Sequence, residues 1–312
     1  MESGMCKKIF ENISKVVVGK EGTVELLIVA LIAEGHILLE DVPGVAKTLM
    51  AKCLAKSIGG TFNRIQFTPD LMPADITGFN VWDQNSSQFT FHPGPVISHV
   101  VLADEINRTI PRTQSSLLEC MEERQLTVDG KTYSLPDPFF VIATQNPIEL
   151  EGTFPLPEAQ LDRFLLKASL GYPQRDEEIR SMEKFQEQDP FEKMEAVATS
   201  AEVLELRKQR RSIRVADPVK AYIADIVRAT RKHVAIEFGA SPRGSLGLMR
   251  TGQARALVRG REFVLPDDIK SLTGPVLGHR LVLKQQERLR GEESRAILES
   301  ILEDIPVPSA DG

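Results

Sequence analysis

The chain has 312 residues, 42% of them apolar and 26% charged, a composition that excludes global disorder and leaves room for about two domains, each with its own core. Acidic residues outnumber basic ones by 44 to 38, for a formal charge of −6. That balance argues against a protein built to grip phosphate backbones non-specifically, although a local basic face stays compatible with it.

Residues Val16-Val17-Val18-Gly19-Lys20 form a short apolar lead-in. Over 23–34 the apolar side chains recur at helical spacing and stop at Gly35, which predicts a helix ahead of the first strand. That strand spans 36–40. It feeds the turn Asp41-Val42-Pro43-Gly44-Val45-Ala46 and a helix over 47–58, closed by Gly59-Gly60. Strand-like runs recur at 61–67, 100–103, 139–144 and 164–170 with helical segments between them, so the fold class is α/β, a parallel sheet covered on both faces. Two stretches look inserted into this plan. Phe79-Asn80-Val81 and Phe89-Thr90-Phe91 alternate in polarity around a polar tip, and Leu126-Thr127-Val128 and Thr132-Tyr133 flank Asp129-Gly130, the dipeptide a type I′ turn prefers. Past Tyr172-Pro173 the strand signal ceases and the remainder reads as helical, dividing the chain into 1–172 and 173–312. Asp217-Pro218 and Ser241-Pro242 open two of its helices. The basic stretch 206–214 reads as a solvated helix end, and 306–312 as a loose tail.

The best apolar run, 26–33, is far short of the roughly 18 residues of a membrane span, and the acidic start is unlike a secretory leader. Cys6, Cys53 and Cys120 form no CxxC pair and read as reduced thiols, the usage of a cytoplasmic protein.

Ligands in such a sheet sit beyond the carboxyl ends of the strands, and Lys47, Asp104 and Asn146 each fall just past a strand end, at one rim. Lys47 and Thr48 fit the lysine and hydroxyl of GxxxxGK[ST], in which backbone N–H groups at a helix N-terminus surround phosphates and the hydroxyl reaches Mg²⁺. Asp41 and Ala46 stand at its two glycine positions. An alanine held at positive φ there costs about 1 to 3 kcal/mol, and Asp41 would repel phosphates unless its side chain turns away, onto its own turn. By itself this is equally a strand-turn-helix with an exposed lysine. The second half is Val100-Val101-Leu102-Ala103-Asp104-Glu105, a buried strand ending in one carboxylate to hold hydrated Mg²⁺, Asp104, and one to polarise the attacking water, Glu105.

Asn146 could orient that water or the γ-phosphate, though Asn-Pro is also an ordinary turn opener. Arg163 fits either an arginine supplied to a neighbouring subunit's site, a device worth roughly 10³ to 10⁵ in rate, or a local ion pair with Asp162 or Glu158. Arg243 lies in the first turn of the Ser241-capped helix, where the macrodipole disfavours a cation by about 0.3 to 1 kcal/mol. An anion such as a γ-phosphate reached from the helical domain would offset this. Arg108 fits the site or a subunit contact. His36, His92, His99, His233 and His279 show no metal spacing.

These segments together, Glu40 through Thr48, Ala103 through Arg108, Ala143 through Pro147, Leu156 through Phe164 and Gly239 through Arg243, strongly resemble the MoxR family of AAA+ ATPases over nearly the whole chain. The resemblance implies an αβα P-loop core with a helix-2 insert (the first hairpin) and a pre-sensor-1 insert (the second), both facing a central pore or a partner. An all-helical lid would follow, with ATP between core and lid and assembly into a ring, commonly a hexamer. It makes Asp104 and Glu105 the Walker B pair, Asn146 sensor 1, Arg163 the arginine finger and Arg243 sensor 2. Thr48 and Asp104 would hold Mg²⁺. ATP would be bound by Val18, Gly19, Asp41, Pro43, Gly44, Val45, Ala46, Lys47, Thr48 and Leu49. It further implies chaperone-like remodelling with a von Willebrand factor A domain protein. The alternatives are a nucleotide-switched scaffold with little turnover and a nucleic-acid motor, the latter opposed by the acidic charge and the lack of an appended winged helix or zinc module.

Overall fold

A computed structural model of the chain describes residues 3–41, 44–85, 87–146, 152–187 and 189–308. Five short strands make the main sheet: β1 (Ile37–Glu40), β2 (Phe62–Gln66), β5 (Val100–Asp104), β8 (Phe140–Gln145) and β9 (Leu166–Ala168). All are parallel, in the order β2-β5-β8-β1-β9. Period-two alternation sends successive side chains to opposite faces. Ile37 and Leu39, Val100 and Leu102, and Phe140 and Ile142 therefore enter one apolar cluster, while Leu38, Val101 and Ala103, and Val141 and Ala143 enter the other. Both faces are buried, which is why these strands read as continuous apolar runs.

The two inserted hairpins form where the alternation predicts them, β3 (Gly78–Asp83) with β4 (Gln88–Pro93) and β6 (Gln125–Val128) with β7 (Lys131–Ser134). Asp129 and Gly130 both have positive φ, +49° and +77°, as a type I′ turn requires. The hairpins are joined to each other: Asn80 Nδ2 donates to Asp129 Oδ2 at 2.7 Å, and the rings of Phe91 and Tyr133 stack at 4.1 Å.

Beyond β9 the chain is helical, with one departure among the described residues: β10 (Ile236–Phe238) pairs with β11 (Val282–Leu283) in a small antiparallel ribbon, so this part is not wholly helical. Helix Pro242–Val258 is capped as expected, Ser241 Oγ accepting from the Arg243 N–H. It packs on helix Glu21–Ile32, and residues of both belong to one apolar cluster. Helix Asp217–Thr230 begins a residue earlier than predicted, with Ala216 at the cap.

The basic stretch over 206–214 is solvated only in part: Lys208, Arg211 and Arg214 are exposed, but two of its arginines are not. Arg207 and Arg210 are buried; Arg207 Nε donates to the Leu31 carbonyl, and Arg210 and Arg211 converge on Glu34 Oε1 at 2.9 Å each. These arginines close the C-terminus of helix Glu21–Ile32, where carbonyls lack partners. Burial would raise the Glu34 carboxyl, but the Arg211 hydrogen bond and the charges of Arg210, Arg211 and Arg207 outweigh it and hold the group below its ordinary 4.5. A depressed folded-state value contributes stability that is complete above the unfolded value and is lost as pH falls through the folded one. Glu34→Gln is expected to cost roughly 1 to 3 kcal/mol at neutral pH, and the gap from wild type should narrow in denaturation series taken below about pH 4.5. A gap constant down to acid unfolding would disprove the pairing.

Candidate functional site

Gly44, Val45 and Ala46 lead directly into helix Lys47–Ser57. Gly44 has φ +87° and Ala46, the helix N-cap, lies in the left-handed region at φ +60°, ψ 15°. The alanine thus accepts the strained conformation that a glycine would take freely, at about 1 kcal/mol or more. Gly44, Val45, Ala46, Lys47, Thr48 and Leu49 line a pocket of about 380 Å³, closed on its far side by Arg64, Asp104, Glu105 and Asn146. Lys47, Asp104 and Asn146, brought in by three different strands, therefore do share one cavity. A larger cleft of about 1010 Å³ opens between β9 and helices Pro266–Leu277 and Ser294–Asp304. Its lining mixes both signs of charge, as in Lys167, Arg295 and Glu299, and it holds no phosphate-loop residue, so the smaller pocket is the candidate site.

Asp41 is buried and turns away from the pocket, though not onto its own turn. Its carboxylate accepts the N–H of Leu170 and, at 3.1 Å, that of Gly171. Lys20, also buried, donates to the carbonyls of the same two residues at 2.8 and 2.9 Å. An ammonium and a carboxylate thereby hold all four backbone polar groups of one dipeptide, tying the start of the phosphate loop to the segment leaving β9. This removes the expected repulsion. Asp41→Ala would strand two N–H groups and is expected to cost about 2 to 4 kcal/mol in urea unfolding, with faster hydrogen exchange at Leu170 and Gly171. Wild-type protection at those two amides would contradict the clamp.

The acidic pair is held tightly. Thr144 Oγ1 donates to Asp104 Oδ1 at 2.6 Å and accepts from the Glu105 N–H at 2.8 Å. Glu105 itself has φ +58°, ψ 49°, a left-handed conformation that costs about 1 to 3 kcal/mol and occurs mainly at functional positions. Its Oε2 accepts from Gln66 Nε2 at 2.8 Å and lies 3.3 Å from Arg108 Nη1. Arg64 Nε and Nη2 both donate to Asp104 Oδ2, at 3.0 and 2.6 Å. The pocket thus offers a helix N-terminus with a lysine for phosphates, and a hydroxyl and a carboxylate, Thr48 and Asp104, of the donor type Mg²⁺ takes alongside phosphate oxygens.

The description "ATPase family associated with various cellular activities (AAA)" matches residues 36–166, and "AAA lid domain" matches 228–301. Chaperone MoxR1 of Mycobacterium tuberculosis is 41% identical over 311 residues, covering 97% of this chain and 82% of that protein. The chain belongs to the MoxR family of AAA+ ATPases. Protein MoxR of Paracoccus denitrificans is 31% identical over 95% of this chain and 94% of its own. An uncharacterised Bacillus subtilis protein, YeaC, is 49% identical over 96% and 94%. The crystal structure of a candidate ATPase from Cytophaga hutchinsonii superposes with a TM-score of 0.92 at 39% identity, over 98% of this chain and 96% of that one.

Within this MoxR-family fold the two remaining arginines lie elsewhere. Arg163 Nη2 is 3.2 Å from Glu122 Oε2, and Arg243 Nη2 is 3.2 Å from Glu122 Oε1. Arg243 also approaches Asp162, to which Arg280 bonds at 2.7 Å. Glu122 lies in the last turn of helix Pro111–Glu123, whose Met121 carbonyl accepts from His36 Nε2 just before β1. The proton must be on Nε2, since Nδ1 accepts the Val141 N–H. Burial pushes this imidazole down to about 3, so it stays neutral. The arginine cluster therefore sits at the opening ends of the strands, and the phosphate loop at their closing ends. Arg243 is not aimed at its own chain's pocket, contrary to the expectation of a γ-phosphate reached across a cleft between core and lid. The anion that offsets its place at a helix N-terminus is Glu122. Arg163 pairs with that glutamate as well, and not with Asp162 or Glu158.

Val18 and Gly19 are absent from the pocket lining; the Glu177 carboxylate lies directly on Gly19, within 2.6 Å of where a Cβ would stand. Pro43, with Val42 and residue 147, lies outside the described residues. Sequence reasoning missed Arg64, Gln66 and Thr144. Arg64 and Gln66 carried a readable signal, two polar side chains at i and i+2 on one face of a strand.

Among the described residues no helix is long and apolar enough to cross a membrane. Cys6, Cys53 and Cys120 are buried free thiols, pushed by burial to about 11, 12 and 12.

Proposed function

We propose that this protein is a cytoplasmic Mg²⁺-dependent ATPase that works as a ring, of six subunits in the form the family resemblance implies, to remodel a partner protein. The observation that carries the reading is the single pocket in which Lys47, Thr48, Asp104, Glu105 and Asn146 face one another. In it, backbone N–H groups of 44–49 and the Lys47 ammonium bind the phosphates. Thr48 and Asp104 would hold Mg²⁺, which would neutralise phosphate charge. Glu105 takes the proton of the attacking water, and Asn146 orients that water through its amide. Val18 and Gly19, which lie outside the lining of this pocket, are assigned to the base by the family resemblance alone.

Arg163 and Arg243 complete the pocket of the next subunit. Their place at the opposite rim suits a head-to-tail ring, in which one subunit's opening strand ends meet its neighbour's phosphate loop. The division into a core to about residue 172 and a lid beyond it puts the segment gripped by Asp41 and Lys20 at the junction, so a change at the phosphate loop would pass to the lid.

The joined hairpins supply the working surface. Phe79, Trp82 and Phe89 are exposed on β3 and β4, with Trp82 and Phe89 packed edge to face at 5.1 Å, an aromatic surface along the hairpin fit to engage a protein. The name of the M. tuberculosis relative supports chaperone work, and a von Willebrand factor A domain protein is the partner class the family resemblance implies. A scaffold without turnover would have little use for Glu105 held in a costly backbone conformation. The test is to recover the Glu105→Gln protein with ATP from its native cells and identify what it holds. A von Willebrand factor A protein would support the reading, and recovery of nucleic acid would overturn it.

A further inference from the structure

Asp104 lines the same pocket as Thr48, and in this structure both of its oxygens are engaged. Thr144 donates to Oδ1, and Arg64 donates twice to Oδ2. A carboxylate with this little exposure is stabilised by a compensating charge, and Arg64 provides it. The guanidinium is not a surface accident. It extends from β2 into the pocket lined by the phosphate loop, and its Nη2 also donates to Gln66 Oε1 at 2.5 Å. Gln66 Nε2 in turn holds Glu105. Asp104, Arg64, Gln66 and Glu105 thus form one hydrogen-bonded chain across the site, linking the metal-binding carboxylate to the water-activating one.

We propose that Arg64 is a positioning residue that competes with the divalent cation for Asp104: it neutralises the carboxylate until Mg²⁺ bound with the nucleotide displaces it. This rests on the ATPase reading above and deepens it. Two charges cannot share Oδ2 at these distances without strong repulsion. Arg64 must therefore leave Asp104 before that oxygen can serve a hydrated cation. The exchange is not prohibitive. Half of the Arg64 side chain faces solvent, and it leaves into a pocket that phosphate oxygens enter. On leaving Asp104 it also loosens its hold on Gln66, and Gln66 is the group that pins Glu105. Charge arriving at Asp104 is thereby passed to the glutamate within one subunit.

The test is a Mg²⁺ titration of the wild-type chain, Arg64→Ala and Arg64→Lys in the presence of a fluorescent non-hydrolysable ATP analogue, after a nucleotide titration in EDTA. Removing the competitor is expected to lower the half-saturating Mg²⁺ about three- to thirtyfold in Arg64→Ala, less than a fully buried charged hydrogen bond would give because Arg64 is half exposed. Arg64→Lys keeps the charge without the two-pronged contact and should fall between. Thermal melts like the wild type's would show that both variants are folded. An unchanged or higher half-saturating Mg²⁺ in Arg64→Ala overturns the proposal, the higher value making Arg64 a phosphate ligand instead. Failure of the wild-type chain to bind the analogue with or without Mg²⁺ would defeat the ATPase reading itself, a separate result.

Discussion

Glu105→Gln is expected to bind ATP as tightly as the parent chain and to hydrolyse it about 10² to 10⁴ times more slowly. The amide has nearly the shape of the carboxylate, so it can occupy the same left-handed position at φ +58° and still accept from Gln66 Nε2 through its remaining oxygen. What it cannot do is take a proton from water. In the proposed mechanism binding depends on other groups, Lys47, Thr48 and the loop 44–46, which line the same pocket. Phosphate release under single turnover, read beside equilibrium nucleotide binding, separates the two effects. Turnover within about threefold of wild type would remove Glu105 from the chemistry, and loss of binding would mean that the residue serves structure instead.

Arg163→Ala is expected to lower hydrolysis by roughly 10³ or more while leaving binding to its own phosphate loop intact, because Arg163 stands with Glu122 and Arg243 at the far rim of its own sheet. The diagnostic is mixing. Subunits carrying Lys47→Ala cannot hold the phosphates but still present Arg163, so adding them to Arg163→Ala subunits should restore part of the lost rate. Arg243→Ala should behave the same way if both arginines cross the interface. An arginine that only neutralises Glu122, worth about 0 to 1 kcal/mol where exposed, would lower the rate little and gain nothing from mixing. Mixtures as inactive as their components would place hydrolysis within single subunits.

The sheet was legible because its side chains obey a local rule. Runs such as Val100–Asp104 and Phe140–Gln145 are buried on both faces, so they stand out as apolar stretches between turn signals. Asp129-Gly130 named its own turn for the same reason, since two adjacent positive φ angles suit few other dipeptides. Where a reading needed to know what lies across the fold, it failed. Arg207 and Arg210 looked solvated because nothing nearby in the chain pairs with them; Glu34, which Arg210 bonds, is 176 positions away, and Asp137, which Arg207 bonds, is 70. The β10–β11 ribbon is too short to carry an alternating pattern.

What the amino-acid order determined alone is the parallel sheet, the strand-turn-helix ending in Lys47 and Thr48 and the acidic strand end at Asp104 and Glu105, because each is written in residues that are neighbours or repeat at a fixed period. Only the tertiary structure decided where the charged side chains spend their charge. Asp41 reaches across 129 positions to the Leu170 amide, Arg64 across 40 to Asp104, and Arg243 across 121 to Glu122. Such choices are settled by which buried groups lack a partner once the chain is packed, and that accounting exists only in three dimensions.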